Sequence, residues 1–122
     1  MFEKEGSIMA GYSVSALALD WGEHSSRFVL AASVVDNNGL GVPNLSASNF
    51  AVHNLTGEMK FTITEVQAAG LQGFYRLILR AEPISQAKEC ILALIMTDRH
   101  HVVGRIPEQP HSGSAMVKVK VV

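Results

Sequence analysis

The chain has a single cysteine, Cys90, so no disulfide can close within it. Aromatic residues are scarce too, with one Trp, two Tyr and five Phe among 122 residues. Most of them fall in alternating segments, where core packing has first claim on a ring. No charge of one sign dominates. Ten Lys and Arg stand against eleven Asp and Glu, a formal net charge of −1 with the histidines neutral. Phosphate contacts supply most nucleic-acid affinity, so no nucleic-acid partner is expected of a chain without a basic footprint. The longest aliphatic run, "ILALIM" at residues 91–96, is far short of a spanning helix, which needs ~20 apolar residues. No membrane span is expected. The opening "MFEKEGSIMAGYS" lacks a basic region followed by a long apolar stretch, so it does not read as a signal peptide. On that reading the chain is cytoplasmic if full-length, and extracytoplasmic if excised from a larger secreted protein.

Apolar residues are plentiful. They make up 48% of the chain against 17% charged, and the mean hydropathy is +0.20. That is enough for one domain with its own core, with apolar surface left for something to cover. Residues 1–10 read as a flexible N-terminal tail, and residues 11–122 as a single domain. Next to "ILALIM", Cys90 reads as a buried small hydrophobe. The sequons at Asn44-Leu45-Ser46 and Asn54-Leu55-Thr56 matter only in a secretory setting and are read as chance.

Hydrophobicity has a period of two almost throughout. "YSVSALALDW" alternates, with Val14, Ala16 and Ala18 on one side. "RFVLAASVVD" sets Phe28, Leu30, Ala32 and Val34 against Val29, Ala31, Ser33 and Val35. "NFAVHN" puts Phe50 and Val52 opposite His53, and "MKFTITEV" puts Met59, Phe61 and Ile63 opposite Lys60, Thr62 and Thr64. "GFYRLILRA" and "ECILALIMTD" follow, and "AMVKVKVV" turns Val117, Val119 and Val121 inward and Lys118 and Lys120 to water. These segments predict seven strands, and "PISQAKEC" allows one helical turn at most. Seven short two-faced strands need a second sheet to bury their apolar sides, so the expected fold is all-β: a seven-stranded antiparallel sandwich. "ILALIM", apolar on both faces, predicts a central strand or one whose outer face meets a partner. Two prolines and two glycines predict an exposed loop over residues 104–114, "GRIPEQPHSGS".

The stretch "VVDNNGLGVPNLSASNFAVHN" at residues 34–54 carries a recognisable order. A strand ends at Asp36, followed by a turn at Gly39, then Val42-Pro43, Leu45 and the strand Asn49-Phe50-Ala51-Val52. With Gly73-Phe74-Tyr75-Arg76-Leu77 and "LIMTDRHHVVG", this resembles a bacterial immunoglobulin-like module over roughly residues 12–122. The resemblance implies an immunoglobulin-like sandwich serving adhesion, spacing or protein contact. The chain differs from antibody-type domains in having no cysteine pair and in placing Trp21 before the second strand.

Chemical motifs give little. Counted from Asp36 as a calcium loop, the third position is Asn38 and the sixth Gly41, but Leu40 and Ala47 occupy the fifth and twelfth, where oxygen ligands belong. Asp98, His100 and His111 are weak candidates for a transition-metal site, converging only if the 104–114 loop folds back. The Gly-x-Ser-x-Gly elbow is absent, the carboxylates Asp20, Glu23, Glu65, Glu82 and Glu89 occur singly, and Gly39-Leu40-Gly41 has no helix to bind phosphate. No catalytic residue and no cofactor is expected. The expected function is a non-catalytic interaction or structural module, engaging a protein partner or a second copy through a sheet face, an edge strand or loops. Its expected contact residues are Ile91, Ala93 and Ile95, with Arg105, Glu108 and His111 on the last loop. Two alternatives stand beside it. A carbohydrate-binding module would display Trp21 and Tyr12, and a small metal-dependent enzyme would use the loop histidines.

Overall fold

The computed structural model describes residues 11–19, 27–82, 88–98 and 111–121. The alternating segments form seven strands: β1 (Ser13–Leu19), β2 (Arg27–Val35), β3 (Phe50–Asn54), β4 (Lys60–Ala68), β5 (Phe74–Glu82), β6 (Lys88–Asp98) and β7 (His111–Val121). They pair antiparallel in two sheets, ordered β1-β2-β5-β4 and β3-β6-β7. A 3-10 turn, Ala47–Asn49, leads into β3.

Strand parity decides the core. Leu30, Ala32 and Val34 of β2 and Leu77 and Leu79 of β5 face Leu92, Leu94 and Met96 of β6 and Val117 and Val119 of β7. Each buried aliphatic side chain of this kind contributes about 1.5–3 kcal/mol by leaving water. Cys90 is buried among them as a free thiol. Two aromatic pairs pack with the core, tilted for Phe28 and Phe61 with ring centroids 5.5 Å apart and edge-on for Phe50 and Tyr75 at 6.1 Å. In β4 the alternation breaks once. A bulge between Ile63 and Glu65 leaves Thr64 over, its hydroxyl donating to the Ile78 carbonyl at 3.2 Å, and returns Val66 to the inner face.

The joint between β2 and β3 is held at three points. Asp36 Oδ1 accepts the backbone N–H groups of Asn38 at 2.8 Å and Leu40 at 3.0 Å, so this carboxylate serves its own turn. The Tyr75 hydroxyl, buried between the sheets, donates to the Val42 carbonyl and accepts the Leu45 N–H at 3.2 Å. The Asn49 side chain donates to the Thr97 carbonyl at 2.9 Å, tying the 3-10 turn to β6. Gly41 and Gly73 cross with no room for a side chain on either, since a Cβ on Gly73 would lie 2.5 Å from the Gly41 Cα.

The last strand departs from the sequence reading. Residues 104–114 were expected as loop to their end, but β7 begins at His111, so Ser112, Gly113 and Ser114 pair with Thr97, Met96 and Ile95. Glycine serves a strand here because Gly113 receives the Tyr12 carbonyl where a Cβ would be 2.4 Å away. Tyr12 N–H donates to the Ser112 carbonyl at 2.9 Å, and Gly11 bridges Ser112 in parallel, closing that side of the sandwich.

Candidate functional site

β6 is the central strand of the smaller sheet. Centrality explains the burial of Leu92, Leu94 and Met96 on the inner face. It leaves the other parity, Ile91, Ala93 and Ile95, on the outer face, with Ile91 exposed and Ala93 and Ile95 half-buried. Cross-strand partners share a face, so the register builds a surface around these three. Ala51 and Ser114 flank Ile95, and His53 and Met116 flank Ala93. Lys118 flanks Ile91 on one side, and on the other Leu55 N–H donates to the Ile91 carbonyl at 2.9 Å.

The resulting surface is apolar at its centre. Met116 is 71% exposed, Leu55 56% and Ile91 39%. Its charges gather at one end, where Lys118 Nζ lies 3.3 Å from Glu89 Oε1 with both side chains mostly in water. An exposed pair of that kind contributes at most ~1 kcal/mol. Met116 was not singled out in the sequence, although its parity in "AMVKVKVV" is that of Lys118 and opposite to Val117. Ala51 shares the parity of His53 in "NFAVHN", but that it meets Ile95 follows only from the β3–β6 register, and Leu55 lies beyond the end of β3.

Asp98 and His111 stand directly opposite each other in the β6–β7 register. Asp98 is half-buried and accepts the Tyr12 hydroxyl at 3.4 Å. The His111 side chain, His100, Arg105, Glu108 and Trp21 lie outside the described part of the chain. Among the described residues, no group of three or more His, Cys, Asp or Glu is placed to hold a metal ion. No described helix is long and apolar enough to cross a membrane.

Of the two sequons, Asn54 is internally committed. Its Nδ2 donates to the Met59 carbonyl at 2.9 Å, and its Oδ1 accepts the Thr56 N–H at 3.0 Å and hydroxyl at 2.9 Å. Thr56 Oγ1 in turn accepts the Ile91 N–H at 3.1 Å, which holds the loop against β6. Asn44 is exposed with φ of 64°. Comparison with protein-family models, with curated proteins and with solved structures finds no match to this chain.

Proposed function

We propose that the protein is a non-catalytic contact module that binds a protein partner through the outer face of the β3-β6-β7 sheet. One observation carries this reading. The middle of that face is built from Ile91, Ala93 and Ile95, bordered by exposed Met116 and Leu55, and charge is confined to one end. An apolar surface with a charged margin matches the composition of a protein-binding patch, whose core is depleted in charge. The strand order, β1-β2-β5-β4 facing β3-β6-β7, is that of a constant-type immunoglobulin domain and supports the immunoglobulin-like reading.

The test is a double substitution, I91K with I95K, on a tagged chain expressed in its own host. Both side chains point away from the core, so the melting temperature should stay within a few degrees of the parent. Co-purification of the partner should fall at least tenfold. Undiminished capture by the folded double variant would reject the face as the contact.

A further inference from the structure

On the side of the sandwich away from the Gly11–Ser112 bridge, the edges of β3 and β4, which pair with no further strand among the described residues, border an open groove of about 550 Å³. Half-buried Val52 and Ile63 form the accessible apolar part of its lining, over buried Phe50, Met59 and Phe61 and beside polar His53, Asn54 and Thr62. Edge strands are normally guarded by charge, proline or a bulge. β7 carries Lys118 and Lys120, and its start is covered by Tyr12; β4 carries Lys60, Glu65 and the bulge at Thr64. β3, "FAVHN", has none of these devices.

Its backbone polarity follows from the ladder. Leu55 N–H reaches the Ile91 carbonyl, and Asn54 stands opposite Leu92. In an antiparallel pair the bonded positions alternate, so Ala51, His53 and Leu55 bond to β6, while Phe50, Val52 and Asn54 turn their main-chain groups outward. Phe50 N–H is taken by the Ala47 carbonyl. Among the described residues, no strand pairs with Val52 on that side. Both of its main-chain groups therefore face the groove.

We propose that this groove binds an extended, uncharged segment of a partner protein, apolar at every second residue, which adds to β3 as a further strand. The unpaired main-chain groups call for an extended backbone, and the lining takes alternate apolar side chains. Glu58 and Lys60, both exposed on its wall, cancel in charge, so a strongly charged segment gains nothing there. A second copy fits less well. Five residues of β3 give a self-paired edge ~17 Å long and a contact on the order of a few hundred Å², well below the ~800 Å² per partner of a stable interface. A segment lying in the groove touches both sheets. The groove meets the outer face of β6 along Ala51 and His53 but includes neither Ile91 nor Ile95, so substitutions at those two residues test the face without touching the groove.

The probe is a blocked ten-residue peptide of alternating Val and Thr with a Gln at each end, titrated into the ¹⁵N-labelled chain. Amide shifts should be confined to residues 50–63, and exchange at Val52 should slow at least tenfold. Two further peptides, N-methylated on alternate nitrogens in the two possible frames, should split: one binds and the other does not. Val52→Pro removes an outward donor and no bond to β6, so it should lose binding tenfold or more while keeping its circular dichroism. Equal binding by both methylated frames, shifts centred on Ile91 and Ile95, or no shift at millimolar peptide would each overturn the proposal. Protection of Val52 that rises with protein concentration in the absence of peptide would also overturn it, in favour of a second copy.

Discussion

Gly73→Ala is expected to destabilise the protein by about 2–5 kcal/mol, summing the ~1–2 kcal/mol cost of a left-handed backbone carrying a side chain and the ~1–3 kcal/mol of overpacking. Gly73 has φ of 88°, and its added Cβ would lie 2.5 Å from the Gly41 Cα and 2.8 Å from the Val34 carbonyl oxygen. All of these are backbone atoms, so no side chain can rotate out of the way. Gly70 provides the control. Its φ is 93° and nothing lies within 4 Å of an added Cβ, so Gly70→Ala should cost only the ~1–2 kcal/mol of backbone conformation. Urea denaturation of the two variants separates the terms. Equal losses would mean that the Gly41–Gly73 crossing is not a tight backbone contact.

Leu94→Ala and Ile95→Ala should differ sharply although the residues are adjacent on β6. Leu94 is fully buried in the core, and truncation of such a side chain costs about 2–5 kcal/mol through lost burial and the cavity left behind. Ile95 lies on the outer face between Ala51 and Ser114, and its truncation should cost about 1 kcal/mol or less. The same urea midpoints measure both. Comparable losses would place Ile95 in a packed interior and remove the exposed face from which contact is proposed.

The sandwich was legible because parity in a strand is strict. In β2, β3 and β7 the alternation of residue types points Leu30, Phe50 and Val117 inward as the sequence implies. It failed to the end of β4 because the bulge at Thr64 inserts a residue that no composition rule announces. It failed at Ser112, Gly113 and Ser114 because their strand is made by pairing with Thr97, Met96 and Ile95 of β6, and by the Tyr12 N–H on the Ser112 carbonyl, contacts that override local propensity. The candidate face was half legible. Ile91, Ala93 and Ile95 follow from the double-sided run "ILALIM", whereas Ala51, His53 and Leu55 join them only through register. Tyr75, which ties Val42 and Leu45 to the core, sits 30 or more positions from either, a separation that periodicity cannot bridge.

The outer face of β6 can be tested without disturbing the fold by placing a photo-reactive phenylalanine analogue at Met116, and in a second chain at Arg76. Met116 stands on that face beside Ala93, and Arg76 is exposed on β5 in the other sheet, outside the groove beside β3. After irradiation in the native host, the chain labelled at Met116 should yield a discrete covalent adduct with one protein, and the chain labelled at Arg76 should yield none. Adducts of equal yield from both positions, or from neither, would contradict contact through the β3-β6-β7 face.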